Sequence, residues 1–154
     1  FKIVSKMKYE NHSLFYCCEK TNINVNISIA ELDTLRSYNH QIGQKFQWVV
    51  DKYCLLVKNI NKQIDKINLP VYIFGAYFNS QMFLSLGLSC KNVHGILDNS
   101  KDKIGKVLYG TRLKIYSPVV LKNKKSIVIC HVGTYTEEIK HDIINNINPE
   151  VIFL

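Results

Sequence analysis

From Pro70 onward, three apolar runs each stop on residues that could do chemistry. The run from Val71 to Phe74 stops at Gly75-Ala76-Tyr77-Phe78-Asn79-Ser80. A second stops at Asp98-Asn99-Ser100, and a third at His131. A glycine turn that opens a helix offers free backbone amides, which suit a phosphate. Asp98 lies 23 positions after Gly75, the neighbourhood from which an acidic side chain takes ribose hydroxyls in dinucleotide folds. His131 has the chemistry of a general base, but no carboxylate or nucleophile stands beside it in sequence.

Each of these residues also has a plainer role. A dinucleotide turn reads G-x-G-x-x-G, and here Tyr77 and Ser80 take the second and third glycine positions. Tyr77 and Phe78 are bulky where a pyrophosphate needs close backbone approach, so a structural turn is the favoured reading. Asp98, followed by Asn99 and Ser100, also spells an Asx turn that closes its strand. That reading is slightly favoured over ribose binding. Thr134 or Thr136 is expected to cap the helix after His131, with Glu137 and Glu138 in its first turn. His12, His40, His94 and His141 are isolated, and no H-x-x-x-H, G-x-S-x-G or Walker loop occurs. Taken alone, the chain carries no self-contained active site.

The elements that must position these residues can be read from periodicity. "FKIVSKM" and "SLFYCCEK" read as two strands around a turn at "YENHS", and "TNINVNI" reads as a connector. Ser28 with Glu31 makes a capping box before "IAELDTLRSYN". After Gly43, apolar residues recur at Phe46, Val49, Tyr53, Val57, Ile60, Ile64 and Ile67, one stripe of a long helix that ends before Asn68 and Pro70. That stripe suits packing on the chain's own sheet or on a partner helix, and would permit a homodimer.

From Pro70 the grammar becomes strand, turn, helix, repeated. Strands are expected at "VYIFG", "VHGILD", "LKIYSP", "SIVICHVG" and "PEVIFL". Helices are expected at "NSQMFLSLGL" and "TEEIKHDIINNI", with a short helix at "VVLKNKK" and a short helix or loop at "KIGKVLYG". Such alternation predicts an α/β, Rossmann-like fold, a mostly parallel sheet flanked by helices and preceded by a β-hairpin-like segment and a long helix. The expected divisions are a strand pair over 1–27, a helical connector over 28–69 and the Rossmann-like domain over 70–154.

Composition narrows the partners. Twenty Lys+Arg against twelve Asp+Glu give a net charge of +8, a balance compatible with nucleic acid. The lysines are scattered, however, and the densest cluster, Lys122 to Lys125, accompanies no reading element. A solvated surface is the better reading, and no nucleic-acid partner is expected. Five cysteines without a C-x-x-C pair point to buried thiols and a cytoplasmic setting rather than to zinc or disulfides. No apolar run reaches the length of a membrane span, and no membrane partner is expected.

The segment "GILDNSKDKIGKVLYGTRLKIYSP", Gly95 to Pro118, resembles the C-terminal domain of the SAM-dependent sugar C-methyltransferase family, of the kind found in bacterial polysaccharide and nucleotide-sugar metabolism. The matching elements are Asp98-Asn99 at a strand end, Lys103 with Gly105, the Tyr109-Gly110-Thr111 turn and Ser117-Pro118. "YIFGA" is similar to the family's Y-G-A turn, "TYTEEI" to its Y-A-D-E-I helix start, and "HSLFYCCEK" to the strand that follows its methyl-transfer domain. Asn79-Ser80 and Arg112-Leu113-Lys114 depart from the family's Lys-Gly and His-Ile-Pro-like runs.

The resemblance implies a domain that packs on an upstream SAM-binding domain of the same polypeptide and encloses a nucleotide-linked sugar. It places zinc, S-adenosylmethionine and the catalytic residues outside this stretch, consistent with a chain that opens on Phe1 inside a strand. No cofactor is then expected in this chain and no catalytic or metal residue within it. The residues expected near substrate are Gly75, Tyr77, Asn79, Asp98, Asn99, Tyr109, Thr111, His131 and Tyr135. Two other readings stay open: the sugar-nucleotide module of a sugar N-acyltransferase-like protein, and a structural or interaction domain without catalysis.

Overall fold

The computed structural model describes residues 1–9, 13–22 and 28–154. The centre of the expected first turn, with His12, and the connector over 23–27 lie outside the described residues. The chain divides into two compact units, Phe1–Gln44 and Lys45–Leu154. In the first, β1 (Lys2–Tyr9) and β2 (Ser13–Glu19) pair antiparallel, with an irregularity between Ile3 and Ser5.

The helix α1 (Ile29–Ile64) begins in the first unit and ends in the second. Its start follows the capping box. Ser28 Oγ accepts from the Glu31 amide, while Glu31 Oε2 accepts from the Ser28 amide and hydroxyl. These bonds hold the Glu31 carboxyl below its ordinary range. The helix runs through Gly43 without a break and stops three residues before Ile67. Its expected stripe divides in two: Val57, Ile60 and Ile64 are buried, whereas Phe46 and Val49 are exposed.

The second unit is built on a parallel sheet of five strands: β3 (Val71–Phe74), β4 (Val93–Leu97), β5 (Ile115–Tyr116), β6 (Ile127–Ile129) and β7 (Ile152–Phe153). The order across the sheet is β5-β4-β3-β6-β7, with every neighbouring pair parallel. The chain thus builds outward from β3 to one side, then returns to β3's other edge. Numbered within the sheet this is 3-2-1-4-5, the first five strands of the doubly wound Rossmann order 3-2-1-4-5-6. The fold is α/β and Rossmann-like, with helices flanking the sheet.

The near-continuous apolar strands follow from burial on both faces. Val71 and Ile73 face a layer formed by α1 and by α2 (Phe78–Ser85), joining Val57, Ile60, Ile64, Phe83 and Leu88. Tyr72 and Phe74 face the opposite layer with Leu121, Ile143 and Val151. Gly95 has the neighbouring strand close against it. A Cβ there would stand 2.5 Å from the Tyr116 ring and 2.7 Å from the Lys114 carbonyl oxygen.

One expected helix proves shorter, and the segment expected as a short helix or loop is a loop. "VVLKNKK" yields only a 3-10 turn, Pro118–Leu121, capped by Ser117, before Asn123 takes a left-handed φ of 58°. "KIGKVLYG" is a turn-rich loop tied back to the β5 segment by the Val107–Lys114 bridge and by the Gly105 and Ile115 amides, which donate to the Ile115 and Lys106 carbonyls. The last helix, α3 (Thr136–Asp142), continues into a π turn over Ile143–Ile147. Buried Asn148 then donates to the carbonyls of Leu121 and Lys124 and accepts from the Glu150 amide. Its amide joins the chain's last turn to the one before β6. Among the described residues, no helix is long and apolar enough to cross a membrane.

Candidate functional site

The sheet order reverses between β3 and β6, so their carboxyl ends leave a crevice between the loops that follow them. A cavity of about 380 Å³ lies there, lined by Phe74, Gly75, Tyr77, Asp98, Asn99, Val132, Tyr135 and Ile139. Five of the nine expected site residues, Gly75, Tyr77, Asp98, Asn99 and Tyr135, are therefore brought together. No lysine or arginine lines this cavity, and its walls are mostly carbon and aromatic faces.

The turn after β3 is held from inside. Gly75 has a φ of 97°, and its amide donates to the Leu97 carbonyl at 2.7 Å. Buried Ser80 donates its hydroxyl to the Gly75 carbonyl. A Cβ at Gly75 would meet the Tyr77 ring at 2.5 Å. The glycine thus makes room for Tyr77 rather than for a phosphate, and the tyrosine covers the turn.

Asp98 completes this closure. Its Oδ1 accepts from the Ser100 amide at 2.9 Å, the Asx turn suggested by the sequence. Its Oδ2 accepts from the Ala76 amide at 2.8 Å and from Lys103 Nζ at 3.0 Å. Burial, the strongest single influence, pushes this carboxyl up. The amides of Ser100 and Ala76 and the Lys103 ammonium together hold it below the ordinary carboxylate range.

Both carboxylate oxygens are therefore engaged within the chain. The amides of Ala76 and Tyr77 are also taken, by Asp98 and by the Gly75 carbonyl. A dinucleotide or S-adenosylmethionine needs an open glycine turn and a carboxylate for its ribose; these residues do not fit that cradle.

Asn79 and His131 act across the crevice. The Asn79 amide donates to the Tyr77 hydroxyl and to the His131 carbonyl, both at 2.9 Å. Asn79 thereby ties the end of β6 to the turn after β3. The His131 ring does not line the cavity; it meets Phe83 edge-on at 5.6 Å. Its Nε2 is enclosed and has no hydrogen-bond partner among the described residues. Burial, with the Lys140 ammonium second, keeps the imidazole below its ordinary pKa. Burial likewise raises Tyr77, and pushes the Cys130 thiol up to about 11.

A stability consequence follows for His131. The unfolded chain takes up a proton more readily than the folded one, so stability falls as pH drops from the ordinary histidine value of about 6.5 toward the lower folded value. Thermal melts over that interval should show the decline, and His131→Phe should flatten it. An unchanged slope in the variant would assign the decline to other groups.

Tyr109 and Thr111 lie apart from this cavity. They border a cleft of about 440 Å³ with Gln81, Leu84, Ser85 and Gly110. Gln81 Nε2 donates to the Tyr109 carbonyl, while Thr111 Oγ1 donates to the Leu108 carbonyl and accepts from the Leu113 amide. A third cleft, of about 330 Å³, has Lys103, Lys106 and Asp102 on its wall and shares Tyr77 with the switch-point cavity. Sequence reasoning did not assign Lys106, Val132 or Ile139 to the site. Val132 and Ile139 come from the residue after His131 and the first turns of α3, positions that a switch-point argument alone would flag.

The expected helix cap is corrected. The Thr136 hydroxyl accepts from the Val132 amide upstream, and α3 has no side-chain cap because a 3-10 turn, Gly133–Tyr135, feeds directly into it. Glu137 and Glu138 do occupy its first turn.

No family model, curated protein or solved structure gave a significant match to the chain.

Proposed function

We propose that the α/β unit is a substrate-enclosing domain for a nucleotide-linked sugar, in a protein of the C-methyltransferase type acting in surface-polysaccharide biosynthesis. One observation carries the reading. The crevice at the sheet's switch point is walled by Tyr77 and Tyr135 without a cation, while the cleft sharing Tyr77 carries Lys103 and Lys106. An uncharged ring suits aromatic walls, and a diphosphate suits the lysines. A nucleotide-linked sugar has both parts in one molecule.

In this reading the chain's residues bind and orient. Tyr77 separates the two subsites, Asn99 offers its side chain to sugar hydroxyls, and Lys106 faces the diphosphate. On this reading S-adenosylmethionine and the methyl-transfer chemistry are supplied by an upstream domain of the same polypeptide, as the family resemblance implies. The domain works in the cytoplasm, where nucleotide sugars are used.

Calorimetry of residues 1–154 with UDP- and dTDP-linked sugars tests the proposal. Binding should be seen for a nucleotide sugar and not for S-adenosylmethionine. Tyr135→Ala and Lys106→Ala should each weaken it about tenfold, the equivalent of about 1.4 kcal/mol. Absence of heat and of thermal shift at millimolar ligand would overturn it and leave a structural domain. Methyl transfer by residues 1–154 alone would also overturn it.

A further inference from the structure

Three clefts on the α/β unit share walls in a fixed order. The switch-point cavity meets the lysine cleft at Tyr77, and the lysine cleft meets the cleft of about 440 Å³ at Gln81 and Tyr109. Of the three, only the middle one is lined by lysines among the described residues, with Asp102 beside them. Lys103 is paired with Asp98, whereas Lys106 has no ion pair among the described residues. Such an order suits a molecule with a charged centre and an uncharged ring at each end. A nucleotide-linked sugar is built so, as sugar, diphosphate and nucleoside. The first two parts have places in the function proposed above; the base has none.

The 440 Å³ cleft is built around an exposed aromatic ring on a fixed turn. The Thr111 amide and hydroxyl both donate to the Leu108 carbonyl, at 3.0 and 2.8 Å, and Gly110 closes the turn at a φ of 74°. Leu108 is buried on one side, and the Gln81 amide donates to the Tyr109 carbonyl at 3.1 Å. The backbone at Tyr109 is thus held, yet its side chain is 86% exposed and pairs with no ring or ammonium among the described residues. A ring so placed contributes little to packing and offers its face to a planar ligand. Gln81 spends one N–H on the Tyr109 carbonyl and keeps its Oε1 and its other N–H. The Ser85 hydroxyl on the same wall is also unspent among the described residues. A base edge carries donors and acceptors side by side, which a glutamine amide matches.

On the reading that this unit encloses a nucleotide-linked sugar, we propose that the Tyr109 cleft is the base subsite. The nucleobase stacks on the Tyr109 ring and sets its edge against Gln81 and Ser85. The diphosphate then lies at Lys106, and the sugar reaches the switch-point cavity past Tyr77.

Calorimetry and proton NMR of residues 1–154 with UDP-glucose and dTDP-glucose test this assignment. Tyr109→Ala should weaken binding about tenfold, within the range of a lost base–aromatic stack. Tyr109→Phe keeps the ring and should bind as wild type does. The base protons should shift upfield on binding to wild type and to Tyr109→Phe, and lose that shift with Tyr109→Ala. Binding that ignores Tyr109→Ala, or that Tyr109→Phe weakens equally, would overturn the base subsite and leave the enclosing role standing. No binding of either sugar nucleotide to wild type would overturn both.

Discussion

Phe83→Ala should lower the unfolding free energy by about 3–5 kcal/mol. Phe83 is 1% exposed and joins three elements of the second unit. From α2 its ring meets Tyr53 of α1 at 5.8 Å and His131, just past β6, at 5.6 Å. Removing it leaves a void against the sheet and opens a path for water to His131 Nε2. Denaturant titration should show a lower midpoint with little change in slope. For a domain of ordinary stability, about 5–15 kcal/mol, the loss is a large share of the total. Phe83→Leu, which keeps most of the volume, should cost less than half as much. Equal losses from the two substitutions would show that packing is not what Phe83 supplies.

Asp98→Ala should have the second largest effect, a loss of about 2–4 kcal/mol. It strips an acceptor from the Ala76 and Ser100 amides and a counter-charge from Lys103. Asp98→Asn retains an acceptor for one amide and should recover part of the loss. The sign of the pH effect is set by the lowered carboxyl of Asp98. Its stabilisation is complete above the ordinary carboxylate value and is lost as pH falls through the lower folded value. The gap between wild type and Asp98→Asn should therefore narrow in acid. Equilibrium unfolding of both variants at neutral pH, then at falling pH, checks the two statements together. A gap that widens in acid would show the carboxylate is not the stabilising form.

Asp98 marks what the sequence made legible. Asp98-Asn99-Ser100 announced its turn because an Asx turn is made within three residues, and Ser28 with Glu31 announced its cap for the same reason. The alternation of strands and helices after Pro70 was legible because a parallel sheet buried on both faces needs uninterrupted apolar runs. What stayed hidden depends on distant partners. Asn79 reads as a ligand neighbour, yet its amide is spent on His131, 52 residues away. Asn148 reads as a loop residue and is a buried tie to residues 24 and 27 positions back. Thr136 reads as a cap, and misleads because the chain reaches α3 through a 3-10 turn that no local rule specifies.

The strand order also governs how the chain is made. β3 gains its first neighbour, β4, soon after it is synthesised, but its other edge waits for Ile127–Ile129. During that interval, while β5 and its loops are assembled, an apolar strand presents unpaired amides and carbonyls along one side. Such an edge invites pairing with another chain. The nascent domain is therefore most vulnerable in mid-synthesis, and β6 is the strand that ends the exposure.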